Sequence, residues 1–224
     1  MDKSKGHNEL EKTESDLREK ILDVAEGLFA EKGYAQTSIR DITKGAHCNI
    51  SAANYYFHGK ENLYVEVFRR HMHAIRDQRI HGIRSVLLNQ TEQTTLEALL
   101  QSFAAAFLEP FQKSGVGHRL MKLMMKERNE PHLPKQIFID EVIKPVKNTM
   151  IDALTRVCPG LGGTEADLCI HSLVGQLTHV LQARDLFDGI DKTTTPILDL
   201  PKALEHIVKF SAAGIRQYLK AGLK

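Results

Sequence analysis

The chain predicts an all-α protein, and three observations carry that expectation. Apolar residues recur at helical spacing through most of its 224 residues, breaks such as CPGLGGT and DGIDKTTTP separate those segments, and no run alternates as a half-buried strand would. About nine helices follow. A content of 42% hydrophobic and 26% charged residues is ordinary for a globular protein with a sizeable core.

Residues 1–14, MDKSKGHNELEKTE, hold only Met1 and Leu10 as large apolar residues and read as a solvated arm. From Ser15 the pattern changes: Leu17, Ile21, Ala25, Leu28 and Phe29 make a first helix, with Gly33 where a C-cap glycine belongs. Thr37 is placed to cap a short second helix that carries Ile39 and Ile42 and ends near Gly45 and Ala46. Asn49 is placed to cap a short third helix running through Tyr56. Beyond Gly59 a long amphipathic helix carries Leu63, Val67, His71 and Ile75, leaves Arg69, Arg70, Arg76 and Arg79 for other faces, and passes residue 80.

Leu96, Leu100, Phe103, Phe107 and Phe111 form the next stripe, which Pro110 ends or kinks. LMKLMMK is apolar almost all round, as expected of a helix buried on several sides. Ile139, Ile143, Val146, Met150, Leu154 and Val157 keep the same period, so Pro145 must kink that helix or sit in an early turn. After CPGLGGT come two more helices, around Glu165–Ala183 and Pro201–Leu219, with DGIDKTTTP as the loop between them.

Charge and cysteine usage bound the function. A net charge of +2 neither demands nor excludes a nucleic-acid partner, so any DNA contact must be local. Cys48, Cys158 and Cys169 cannot all pair within one chain and none has C-x-x-C spacing, which favours a reducing compartment without structural zinc. No window reaches the roughly eighteen apolar residues of a membrane span, and the N-terminus lacks an apolar signal core. The expectation is a cytoplasmic protein with no membrane partner and no cofactor.

Two short helices joined by a tight turn, the second opening on a cap and small residues, make a helix-turn-helix whose second helix enters the major groove of double-stranded DNA. Asn49, Ser51 and Ala52 let that helix approach the bases, while Ala53 and Phe57, one turn apart, face the domain core. Ser51 suits a base edge, Asn54 the bidentate pair with adenine, and Ile50 or Ala52 a thymine methyl. Without an arginine in this set, readout is soft, biased toward A·T pairs and supplemented by DNA shape. Tyr55 and Tyr56 hydroxyls and Lys60 suit phosphates, and Thr37 and Ser38 at the head of the second helix join the DNA-facing set.

The block LFAEKGYAQTSIRDITKGAHCNISAANYYFHGKENLY resembles the N-terminal domain of the TetR family of bacterial transcriptional regulators. F-A-E-K-G-Y, T-S-I-R-D-I and Y-Y-F-x-G-K-E-N-L-Y carry the likeness, and N-I-S-A-A-N-Y-Y-F with EVIKPV and HSLVGQ is similar to the CecR (YbiH-like) branch. The chain departs from the common pattern at His47, where many members have glycine, at Tyr56 within Tyr55-Tyr56-Phe57, and at Gly59, a weaker cap than Ser or Asn.

The resemblance implies a DNA-binding domain over residues 15–62, an effector-binding and dimerisation domain over 63–224, and a homodimeric repressor released from its operator by a small molecule. Small and apolar residues on the last two helices mark Leu173, Gly175, Leu177, Val180, Ala212, Ile215 and Tyr218 for the dimer interface. Phe103, Phe107, Phe111, Met121, Met124, Met125, Met150 and Gln176 suit a pocket for a small apolar or aromatic effector, although Phe and Met at helical spacing also describe ordinary core.

Rival classes are weaker. Eleven histidines suggest a metal sensor, yet His71 with His73 and His171 with His179 lack the spacing that converges ligands, and Cys48 beside His47 reads as a small turn residue more than a thiol switch. No G-x-S-x-G, P-loop, H-E-x-x-H or G-x-G-x-x-G points to an enzyme. A helical adaptor would not need a capped, small-residue head on a short helix.

Overall fold

The computed structural model describes residues 3–88, 95–111, 116–186 and 199–221; the expected loop DGIDKTTTP lies outside them. The α-helical segments are α1 (Lys3–Lys32), α2 (Ile39–Ala46), α3 (Ile50–Phe57), α4 (Lys60–Leu88), α5 (Leu96–Leu108), α6 (Val116–Asn129), α7 (Lys135–Phe138), α8 (Lys144–Val157), α9 (Gly163–Leu186) and α10 (Leu200–Ala221). Because α7 runs into α8 through a π-helical turn, Ile139–Ile143, the described residues form nine rods and no strand. A 3₁₀ turn, Glu109–Phe111, ends α5 at Pro110, as expected.

One boundary differs from expectation. α1 begins at Lys3, well before Ser15, so residues 3–14 of the expected arm are helical. Lysine, glutamate and leucine are good helix formers, and extending a nucleated helix adds a hydrogen bond per residue without needing an apolar stripe. Pro145 falls in the first turn of α8, where a missing N–H does least harm. The carbonyl it cannot bond is that of Glu141, and Arg76 Nη1 approaches that oxygen at 3.4 Å.

The chain divides into two compact units, Met1–Met72 with Lys113–Ile137, and His73–Gln112 with Phe138–Lys224. This is not the consecutive division at residue 62: α6, expected in the C-terminal domain, belongs to the first unit. There Ile21, Ala25, Phe29, Ile42, Ala53, Phe57, Leu63, Val67 and Phe68 are buried, together with Leu120 and Leu123 of α6. In the second unit α5 packs on α9 and α10, α8 packs on α9, and Phe103, Met150, Leu154, Leu173, Leu177 and Ile215 are buried. Arg216 closes on Glu97 at 2.6 Å and Lys147 on Asp167 at 3.2 Å.

Inside the first unit Glu26, 4% exposed, joins α1 to α4 and α6. Its Oε2 lies 2.9 Å from His71 Nε2 and 3.7 Å from an Arg70 nitrogen, and its Oε1 lies 3.3 Å from Arg119 Nε. Burial opposes its ionisation, but the His71 hydrogen bond and the charges of Arg119 and Arg70 outweigh burial and hold the carboxyl below its ordinary value. A group whose pKa falls on folding stabilises the fold above its unfolded value, here near 4.5, and that contribution is lost as pH falls through the folded value. The urea midpoint of Glu26→Gln is therefore lower than that of the unaltered chain near neutrality, and the two converge under acid. A gap independent of pH would show that the Glu26 charge adds nothing.

Candidate nucleic-acid interface

The second and third helices are set by chemistry at their ends. Ser38, not Thr37, caps α2: Asp41 N donates to Ser38 Oγ at 3.1 Å and Ser38 N donates to Asp41 Oδ2 at 3.2 Å, a reciprocal capping box. Hydrogen bonds from the Ser38 side chain and backbone, in that order, hold the Asp41 carboxyl below its ordinary value. Thr37 is only 2% exposed, and its Oγ1 donates to the carbonyl of Gly33 at 2.8 Å, satisfying an acceptor that the end of α1 leaves free. That removes Thr37 from the DNA-facing side chains.

The turn between α2 and α3 is a left-handed cap. His47 has φ 56°, and Cys48 N donates to Thr43 O at 3.0 Å, closing the six-residue loop of a Schellman ending. The position that many members fill with glycine is thus one that favours glycine. Asn49 then caps α3 by accepting from Ala52 N at 2.7 Å, as its place in the sequence predicts. Gly45 faces α1, where an added Cβ would sit 2.7 Å from Val24 Cγ1.

α3 is eight residues long and buries one edge. Ala53 and Phe57 are 1% and 2% exposed, and Arg18 lies over the Phe57 ring at 5.3 Å. With that edge inward, Asn49, Ile50, Ser51, Asn54 and Tyr55 face solvent, Tyr55 being 70% exposed, while Ala52 and Tyr56 are half-buried. Arg40 and Lys44 are exposed on α2. Nine of the ten expected DNA-facing residues therefore have exposed or half-exposed side chains, Ser38 and Lys60 included.

Lys60 is more constrained than a free phosphate contact. Its ammonium lies 4.0 Å over the Tyr34 ring, and partial burial lowers its pKa. Tyr34 stacks on Phe29 at a ring separation of 6.1 Å, meets Tyr64 edge-on at 5.0 Å and lies tilted against His132 at 4.3 Å. Glu127 of α6 anchors this cluster, accepting from Tyr64 Oη at 2.9 Å, His132 N at 3.0 Å and Leu133 N at 2.8 Å. Burial, then the bond to Glu127, pushes the Tyr64 hydroxyl far up, so it stays a donor. Tyr34, His132 and Glu127 escape sequence reasoning because they are far apart in the chain.

Gly59 is more than a weak cap. It has φ 122° beside His58 at φ 56°, and these two residues turn the chain from α3 into α4. A side chain at φ 122° is strained whatever space surrounds it.

The expected effector and dimer sets are redistributed. Met121, Met124 and Met125 belong to the first unit, while Phe103, Phe107, Phe111 and Met150 belong to the second. Gln176 leaves that set: its Nε2 donates to Ser211 Oγ at 3.3 Å, and it lines a groove of about 720 Å³ with Ser172, Gly175, His179, Val180, Lys202, Ala203, His206 and Ile207. Leu173, Leu177, Val180, Ala212 and Ile215 are buried within the protomer, so these side chains turn inward, Val180 at the base of the groove. Helices with two apolar stripes leave open, from sequence, which stripe turns inward. On these two helices Leu168, Leu186, Phe210 and Tyr218 are the exposed large apolar residues, at 56%, 77%, 64% and 45%. An added Cβ at Gly175 or Gly214 would meet nothing, so the protomer alone does not require glycine there.

Among the described residues no group of three or more His, Cys, Asp or Glu could hold a metal. His71 and His73 face Glu26 and Glu141 at 2.9 and 2.8 Å. Burial pushes the Cys48 thiol up, against a reactive thiolate. No described helix is long and apolar enough to cross a membrane.

Residues 21–67 match the family described as bacterial regulatory proteins, tetR family, and residues 89–214 match the tetracyclin repressor-like C-terminal domain, which alone spans more than half of the chain. A probable HTH-type transcriptional regulator, YttP, of Bacillus subtilis strain 168 is 33% identical over 88 residues; the match spans 38% of this chain and 39% of that one. Among solved structures, the fatty acid degradation regulator FadR from Bacillus halodurans superposes with a TM-score of 0.60 at 21% identity, over 88% of this chain and 98% of that one. FadR from Bacillus subtilis in complex with stearoyl-CoA gives 0.63 at 19% identity, over 87% and 97%. A SmeT–triclosan complex gives 0.56 at 18%, over 89% and 91%. These three likenesses show a shared fold.

The two glycine-like positions around α3 respond oppositely to substitution. Gly59→Ala lowers unfolding free energy by about 1–3 kcal/mol, since it forces a side chain into a sparsely allowed backbone region. His47→Gly leaves stability unchanged or raises it by up to about 1 kcal/mol, because it removes a left-handed penalty at some entropic cost. Chemical denaturation of both variants checks the pair.

Proposed function

The chain belongs to the tetR family of bacterial regulatory proteins, and from that premise we propose that it is a homodimeric repressor whose α3 reads operator DNA and whose C-terminal helices bind an apolar or aromatic effector. The observation that carries the DNA half is the setting of α3: Ala53 and Phe57 inward, Ser51, Asn54 and Tyr55 outward, on a helix capped at its exposed head. Asn54 is assigned to a base edge, with Ser51, Ile50 and Ala52 as neighbours in the groove. Tyr55, Tyr56, Ser38 and Lys60 are assigned to phosphates, Lys60 from its seat on Tyr34. The wording of α3 further suggests the CecR-like branch.

Dimerisation supplies the second reading head. Support comes from exposed Leu168 and Leu186 on α9 and Phe210 and Tyr218 on α10, from the groove between those helices, and from the open space around Gly175 and Gly214. The interface is assigned to this outer stripe, with Gly175 and Tyr218 retained from the expected set. The effector half rests on likeness to proteins that hold stearoyl-CoA and triclosan, and its site is assigned to the apolar side chains of Phe103, Phe107 and Phe111. Effector binding favours a dimer with wrongly spaced heads, and a coupling of about 1–3 kcal/mol changes operator affinity about 5- to 150-fold.

Fluorescence anisotropy with DNA flanking the chain's own gene, at two salt concentrations, tests the DNA half. Asn54→Ala weakens operator binding by about 1–3 kcal/mol with little effect on unrelated DNA, whereas Lys60→Ala weakens both and flattens the salt dependence. Equal losses on every sequence for Asn54→Ala would remove its base-reading role. For the dimer, Phe210→Glu moves the protein toward monomer in sedimentation velocity and weakens operator binding; a dimer untouched by Phe210→Glu would place the interface elsewhere.

A further inference from the structure

We propose that Arg79 receives the oxyanion head, carboxylate or phosphate, of an otherwise apolar effector. The inference rests on the effector reading above and specifies its ligand chemistry. α4 carries five arginines: Arg69 meets Glu66 at 3.0 Å, Arg70 meets Asp23 at 2.6 Å, Arg76 meets Asp77 at 2.8 Å, and Arg84 is exposed to solvent. Arg79 differs. Its Nε is buried with no hydrogen-bond partner, and its guanidinium lies over the Phe107 ring of α5 at 4.0 Å.

The neighbouring acids are engaged elsewhere. Asp77 is held by Arg76, and Glu109 accepts from Gln78 Nε2 at 2.8 Å. Burial alone acts on Arg79, lowering its pKa to about 10, so the group is still a cation at neutral pH and carries its charge without a partner in the protein. The residue as a whole is partly exposed, so a ligand arriving from solvent can supply the counter-charge that the protein does not.

The geometry suits an anion with an apolar body. α4 and α5 are drawn together one turn along, at Gly82, where an added Cβ would lie 3.3 Å from both Ala106 Cβ and Ser102 Oγ. Ser102 Oγ donates to Gly82 O at 2.8 Å. That close seam sets Phe107 under Arg79, with Phe103 beyond it at a ring separation of 6.1 Å. Stacking occupies the face of a guanidinium and leaves its edge, Nε–H with a terminal N–H, directed in plane. Two parallel donors in that plane match a carboxylate or phosphate bidentately, and the phenylalanines offer an apolar wall to what the head is attached to.

Isothermal titration calorimetry of the full-length protein with octanoate, octyl phosphate and octanol tests this. One of the two anions binds at least about 10-fold tighter than octanol, as a charge-assisted pair in a partly buried site implies; octanoate ahead marks a carboxylate head, octyl phosphate ahead a phosphate. Arg79→Gln abolishes the preference and leaves octanol binding unchanged, while Arg79→Lys, which keeps the charge and loses the planar edge, retains only part of it and carries the comparison should Arg79→Gln fail to fold. Anions and octanol binding alike, or a preference that survives Arg79→Gln, would overturn the assignment to Arg79 and leave the effector reading intact. Binding of none of the three would remove that reading and this inference together.

Discussion

Burial of Ala53 and Phe57 is the constraint on which the rest depends. An isolated helix of eight residues is unstable in water, so α3 owes its existence to packing and caps rather than to its own propensity. Two buried side chains one turn apart also fix its rotation. Turning the helix by one residue, about 100°, would bring Asn54 inward and expose Ala53. The outward row of Ile50, Ser51, Asn54 and Tyr55 is therefore a consequence of what lies beneath it.

What lies beneath is held by polar contacts that cross helices. Glu26 of α1 gathers His71, Arg70 and Arg119, and Glu127 of α6 holds Tyr64 and the two backbone amides that follow Pro131. Both carboxylates are surrounded by donors, which offsets the cost of burying Glu26 and fixes the half-buried Glu127 in place. Because Glu26 ties α6 to α1 and Glu127 ties it to α4, α6 is a structural part of the first unit.

Locally determined features were legible in the sequence. The cap at Asn49, the inward pair Ala53 and Phe57, the length of α4, the break at Pro110 and the placement of Pro145 all follow from helical period, cap chemistry and proline's missing N–H. Features that depend on distant partners were not. Thr37 looks like a cap until its hydroxyl is seen on Gly33 O, and Lys60 looks free until Tyr34 is beneath it. Leu173, Leu177 and Ile215 carry the right composition for an interface yet turn into the protomer, because sequence does not distinguish the two apolar faces of α9 and α10. The φ of Gly59 was equally hidden, since a turn's handedness leaves no periodic trace.

In vitro site selection from a random double-stranded DNA library, run with the unaltered chain and with Asn54→Gln, tests the central claim most directly. A two-fold dimer reading through α3 enriches an inverted repeat, and Asn54→Gln changes base preference at one position in each half-site while the rest of the motif persists. Enrichment of no sequence, or of the same motif unchanged by Asn54→Gln, would contradict the assignment of α3 as the reading helix.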